Sequence, residues 1–188
     1  MMQKKHLKYY LIAIAMTLYP LSTVASDVSN PAFDNDGIDV FLSAVEETLR
    51  LEELSRCENL ADEIIDFANS FLGRPYRRGA KGPKAFDCSG FTSYVFRQFN
   101  TRLGASSRAQ YLQGEAVETK DVRPGDLLFF SGRRAGKTVG HVGIAVKVDE
   151  NGNISFIHAA NSGGIRIDRV QDGGYYSRRG FMTFMGGI

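Results

Sequence analysis

Hydrophobic and polar positions divide this chain into an apolar leader, a helical first half and a strand-rich second half. Lys4, Lys5 and Lys8 precede a mostly apolar run from Tyr9 to Tyr19, which Pro20 ends. The run falls short of the ~20 residues a membrane-spanning helix needs. Ser22, Thr23, Ala25 and Ser26 are small, so residues 1–26 are expected to be a secretory signal peptide cut after Ala25 or Ser26 rather than a retained anchor. Asn30 to Gly37 is polar and turn-rich and reads as a linker. Ile38, Phe41, Leu42, Val45 and Leu49 then recur at helical spacing opposite Glu46, Glu47, Glu52 and Glu53. Leu60, Ile64, Phe67, Ala68 and Phe71 predict a second helix that Gly73 and Pro75 terminate. A third opens at Asp87 with Phe91, Val95, Phe96 and Phe99 as its buried face. After Pro124 and Gly125 the period changes. Asp126 to Ser131, His141 to Val148, Ile154 to Ala159, Gly164 to Asp168 and Phe181 to Met185 are short β-rich runs separated by turn residues. Helices first and an antiparallel sheet of about five strands second describe an α+β fold.

Composition narrows the class. With 188 residues, 43% hydrophobic and 23% charged, the chain fits one globular domain with modest extras, and excludes collagen, coiled coil and wholesale disorder. Two cysteines and three histidines are too few for a disulfide scaffold or a set of zinc knuckles. The formal charge of +2 conceals a strong asymmetry. From Asp27 to Asp66 there are 12 acids against Arg50 and Arg56, whereas from Phe67 onward there are 18 bases against nine acids. Most of the acidic run reads as a solvated helix face, with the possibility that it folds over the basic part and restricts it. Nucleic acid is not an expected partner, because the chain carries no recognition motif and reads as exported.

Removal of the leader takes His6 with it and leaves His141, His158, Cys57 and Cys88. Cys88 follows a good N-cap residue, Asp87, so its sulfur should meet free backbone N–H groups and a helix dipole that stabilise a thiolate. His141 begins one strand and His158 closes the next; if the two pair as a hairpin, the histidines become neighbours. His141 shares its face with Gly143 and Ala145, small residues that should let a helix approach and bring Cys88 within reach. His141 as base and His158 as orienter suit a cysteine hydrolase. Inert packing of Cys88 is the alternative. A zinc site from the same side chains lacks any CxxC or HxxxH spacing. Cys57 reads as structural, and a Cys57–Cys88 disulfide would disable the nucleophile.

The motifs resemble those of the NlpC-type cell-wall cysteine peptidases, a papain-like family, from about Ala61 to Ile188. They occur in the family's order: Gly73 to Gly79 (GRPYRRG), Asp87 to Phe91 (DCSGF), Ser106 to Gln110 (SSRAQ), Arg123 to Phe130 (RPGDLLFF), His141 to Val146 (HVGIAV) and Phe156 to Ala160 (FIHAA). The resemblance implies Cys88 as nucleophile, His141 as base and His158 as third polar residue. Tyr76, Asp87 and Ser89 would position the substrate or stabilise the oxyanion, and Ser106, Ser107 and Arg108 would bind substrate. Gly79 is followed by Ala80 where the family often has a second glycine. Gly104 and Ala105 stand where it often has Pro-Arg, so Arg108 is the substitute for a missing arginine. Of Arg74, Arg77, Arg78, Lys81 and Lys84, most should be solvated and a few should steer substrate.

The resemblance further implies an exported enzyme, in the periplasm or outer envelope, that acts on bacterial peptidoglycan stem peptides at the γ-D-glutamyl to diamino acid bond. Neither cofactor nor metal is expected, nor a stable membrane anchor, and the chain should be a monomer. The expected organisation is signal peptide 1–26, linker and acidic helical segment 27–58, and peptidase domain 59–188. An amidase cutting between muramic acid and L-alanine is the rival within the enzymes. A non-catalytic wall-binding module is the rival outside them.

Overall fold

The computed structural model describes residues 35–132, 138–170, 175–176 and 181–185. The expected signal peptide, and the linker up to residue 34, lie outside them. Helix α1 (Asn35–Asn69) is one continuous helix where two were expected. No glycine or proline falls between Leu49 and Leu60, so nothing in the backbone breaks the ladder there. The chain divides into two compact units between Ser55 and Arg56, inside this helix. Leu49, expected on a buried face, is half-exposed. Toward its end the helix becomes amphipathic as expected: Ile64 and Ala68 are fully buried, with Leu60, Phe67 and Phe71 packed beside them. Among the described residues no helix is long and apolar enough to cross a membrane.

Helix α2 (Cys88–Gln98) follows the loop of residues 73–87, and a short helix α3 (Ser107–Tyr111) comes next. Among the described residues, six antiparallel strands follow in the second unit: β1 (Glu115–Val117), β2 (Leu127–Ser131), β3 (Val139–Val148), β4 (Ile154–Ala160), β5 (Gly164–Val170) and β6 (Phe181–Met185), in the spatial order β1-β6-β2-β3-β4-β5. The α+β expectation stands, with one strand more than the five anticipated. β1 is three residues long, too short to show a period.

Both faces of the sheet are covered, which is why β2 reads as an unbroken apolar run. On one face Leu127, Phe129, Val142, Ile144, Ile157 and Ile165 pack with Phe91, Val95 and Phe96 of α2. On the other Leu128, Phe130, Ala145, Ile154 and Phe156 form a second cluster, with Tyr176 against it. One expectation about packing is corrected here. Helix α2 lies on the Val142 and Ile144 face, not on the Gly143 face. Gly143 must be small for another reason: a Cβ there would stand 2.7 Å from the Phe156 ring and 3.0 Å from His158 Cβ.

Candidate active site

Asp87 builds the start of α2. One carboxylate oxygen accepts the Gly90 N–H at 2.6 Å, the N-cap bond expected of this residue, and the other accepts the Gly79 N–H at 2.9 Å. The second bond ties the preceding loop to the helix start. Gly90 is required at that point, since any Cβ would collide with the Ala80 carbonyl oxygen. Cys88 is thereby fixed at the first helical position, with backbone N–H groups of Ser89, Val142 and Cys88 itself directed at its sulfur. The Val142 contact joins the helix start to β3 immediately beside His141.

The expected electrostatics of the thiol are corrected. Burial pushes the Cys88 thiol up, the Asp87 charge pushes it further, and the three backbone donors only partly oppose them. The balance favours the thiol over the thiolate.

The β3–β4 ladder runs from Val148↔Ile154 to Ile144↔Ile157, and His141 and His158 lie just past its end. Their rings meet edge to face, with His141 Nε2 2.8 Å from His158 Nδ1. His158 is fully buried. Burial lowers its proton affinity, against the pull of Asp168, and so favours the neutral ring. His158 Nε2 in turn lies 2.9 Å from Asp168 Oδ2, which also accepts from Arg166 Nε at 3.0 Å and Arg166 Nη2 at 2.8 Å. Burial works to raise the Asp168 carboxyl, but the hydrogen bonds of Arg166 and His158 and the Arg166 charge prevail and hold it below the usual carboxylate range. The Tyr176 hydroxyl stands 3.4 Å from His158 Nε2, and burial first, then Asp168, pushes its phenol up to about 12.

Tyr76, Cys88 and His141 line one cleft of about 1100 Å³, together with Arg166, Asp168, Arg169 and the Tyr175–Tyr176 pair. Burial, then the Cys88 and Asp87 charges, raises the Tyr76 phenol, so it remains a hydrogen-bond donor. The other expected residues are placed differently. Ser89 Oγ bonds Asp87 Oδ1 and the Ala105 carbonyl. Ser106 caps α3 by accepting the Ala109 N–H, Ser107 is buried, and Arg108 Nε donates to the Val139 carbonyl. These residues fasten the two helix starts and β3. Lys81 donates to the Ala105 carbonyl, while Arg74, Arg77, Arg78 and Lys84 are exposed. Among the described residues, the arginines lining the cleft are instead Arg166 and Arg169, from β5. Cys57, expected to be packed, is exposed, and both cysteines are free thiols.

Asp168, Arg166 and Tyr176 were not foreseen. The β4–β5 register pairs His158 with Arg166 and Phe156 with Asp168, which places both charged residues on the His158 side of the sheet. The alternation of two strands joined by a tight turn carried that signal.

A thiol at a helix start and a histidine past the end of an antiparallel ladder, Cys88 and His141, border one cleft, with His158 buried behind His141, in a papain-like α+β domain. The model of the NlpC/P60 family matches residues 73–183, and the chain belongs to that family. Among its relatives, the probable endopeptidase p60 of Listeria grayi is 40% identical over 108 residues, which are 57% of this chain and 19% of that protein. The murein DD-endopeptidase/murein LD-carboxypeptidase MepS of Escherichia coli K12 is 36% identical over 129 residues, 68% of this chain and 64% of that one. The chain thus spans about a fifth of the length of the p60 relative. Among solved structures, the NlpC/p60 domain of the peptidoglycan hydrolase SagA superposes with a TM-score of 0.53 at 31% identity, covering 66% of this chain and 98% of that one. An NlpC/P60 family protein from Bacillus cereus gives 0.56 at 28%, covering 65% and 39%.

Proposed function

We propose that this chain is an exported cysteine endopeptidase that hydrolyses peptidoglycan stem peptides, with residues 1–26 as its signal peptide and residues 59–188 as its catalytic part. The observation that carries the proposal is the cleft shared by Cys88 and His141, with His141 hydrogen-bonded to the buried His158 behind it. With His141 Nε2 hydrogen-bonded to His158, Nδ1 is the proposed base for the thiol. The Cys88 proton passes to His141 Nδ1 as sulfur attacks the peptide carbonyl carbon. A C–S bond forms, and the carbonyl electron pair moves to oxygen. Backbone donors at the start of α2 and the Tyr76 hydroxyl stabilise the oxyanion. Collapse breaks the C–N bond, and the amine leaves with the His141 proton. Water, deprotonated by the same nitrogen, then releases the acid from sulfur. Arg166 and Arg169 suit a substrate rich in free carboxylates, such as a stem peptide.

The bond proposed is γ-D-glutamyl to diamino acid. Similarity to MepS over 64% of that protein favours a second reading, cleavage of the D,D bond in murein cross-links. Digestion of purified peptidoglycan, with mass spectrometry of the fragments, decides between them. Monomeric muropeptides cut within the stem support the first reading, and loss of cross-linked dimers alone supports the second. Cys88→Ala should abolish both products with the fold intact, and persistent digestion by that variant overturns the proposal.

A further inference from the structure

The histidine pair can act in only one of its two tautomeric arrangements, and the strand beyond it holds a group able to select one. We propose that Asp168, clamped by Arg166, is a positioning residue that sets the tautomer of His158 and, through it, leaves His141 Nδ1 bare as the base.

The argument follows the hydrogens. Asp168 Oδ2 already accepts two N–H bonds from Arg166. An ionised carboxylate has only acceptor capacity, so the hydrogen between Asp168 Oδ2 and His158 Nε2 belongs to the ring. A neutral imidazole carrying hydrogen on Nε2 has a bare Nδ1. His158 Nδ1 is therefore an acceptor, and the 2.8 Å bond between the rings takes its hydrogen from His141 Nε2. A neutral His141 imidazole with its hydrogen on Nε2 then carries none on Nδ1. During attack that nitrogen gains the thiol proton and later returns it to the amine, while the other hydrogens of the relay keep their places.

The opposite order inverts every bond. With hydrogen on His158 Nδ1, His141 Nε2 becomes the acceptor and His141 Nδ1 carries the hydrogen, where it can take no proton from Cys88. Tyr176 cannot make the selection alone. Its hydroxyl, 3.4 Å from His158 Nε2, can donate or accept. Arg166 supplies the second half of the device. A guanidinium only donates, so it fixes an oxygen, not a donor, opposite His158.

The kinetic consequence rests on the hydrolytic reading above; the tautomer does not. Full-chain protein labelled with 15N in its histidines, observed at a pH where the rings are neutral, should show His141 and His158 both protonated on Nε2. Replacement of each histidine in turn assigns the signals. Protonation of His158 on Nδ1 overturns the proposal. In Asp168→Ala the His158 pattern should shift toward the other tautomer, and kcat on muropeptides should fall about a hundredfold, at the lower end of what a general base contributes, with KM little changed. Asp168→Asn presents an amide oxygen to Arg166 and His158 and should recover about tenfold of that loss, since it restores the acceptor without the charge. Unchanged kcat and 15N pattern in Asp168→Ala, or an Asp168→Asn variant as slow as Asp168→Ala, overturns it as well. If Asp168→Ala does not fold, the wild-type spectrum remains the test. Absence of hydrolysis by the wild-type chain rejects the proposed function and leaves the tautomer measurement standing.

Discussion

The sulfur of Cys88 combines two opposing environments, and their balance has a measurable sign. A helix start supplies N–H donors that favour a thiolate, while burial and the neighbouring Asp87 charge favour the thiol and prevail. Alkylation by iodoacetamide should therefore climb with pH up to and beyond the ordinary thiol range. A preformed thiolate would give a rate already flat from mildly acidic pH upward, and that profile would reject the assignment. Asp87→Asn keeps an N-cap acceptor but removes the charge, so it should displace the profile toward lower pH. Gly143 offers a second test. A methyl group there meets Phe156, His158 and the Ile157 carbonyl oxygen at 2.7 to 3.0 Å. Gly143→Ala should cost about 1–3 kcal/mol in denaturant unfolding by overpacking and should slow turnover by displacing His158. A variant with wild-type midpoint and kcat would show that the strand yields freely. Cys88, His141 and His158 were legible in the sequence because each stands at the edge of a regular element, where local pattern predicts position. Asp168 was not, because its relation to His158 exists only through the β4–β5 register.

At the level of elements, periodicity identified what was long and missed what was short. The end of α1, helix α2 and strands β2 to β6 follow patterns of apolar residues spread over at least five positions. Helix α3 and strand β1 do not, being five and three residues long. Two helices merged into one for a related reason: amphipathic pattern marks burial, and a helix can persist through a polar stretch that buries nothing. The short α3 matters to the site through Gln110. This buried side chain accepts from Thr92 Oγ1 at 2.8 Å and donates to the Ser89 carbonyl, Ser93 Oγ and the Gly104 carbonyl. It thereby fastens α3 to the first turns of α2, where Cys88 sits. Gln110→Ala removes these bonds, although Thr92 Oγ1 can still donate to the Ser89 carbonyl and Ser93 Oγ to the Gly104 carbonyl, and should cost about 1–3 kcal/mol in all, read as a lowered urea midpoint. Its kcat should fall along with stability, whereas intact activity at a lowered midpoint would mean that α2 needs no such anchor to present its thiol.

Across the whole molecule, the groups of the proposed relay also tie its stability to pH. Folded His158 refuses a proton that an unfolded chain would take, because burial lowers its affinity. Below the ordinary histidine range the unfolded state therefore binds more protons than the folded one, and the contribution of the neutral ring, complete above that range, is lost as pH falls toward the folded value. Asp168, held below the usual carboxylate range, acts in the same direction at lower pH, where its ionised form ceases to bind Arg166 and His158. Asp126 opposes it there: its buried carboxyl is raised, so protonation relieves a cost of folding. The two carboxylates offset one another in the acid range, and the histidine window is the cleaner one to measure. Thermal unfolding of the wild-type chain should shift to lower temperature as pH descends through the histidine range, with the relay intact at the upper end. His158→Gln removes the titrating ring, and its unfolding temperature should be flatter across the same window even if lower throughout. Parallel slopes for the two proteins would place the pH dependence elsewhere in the molecule and separate the stability of the fold from the state of its histidine pair.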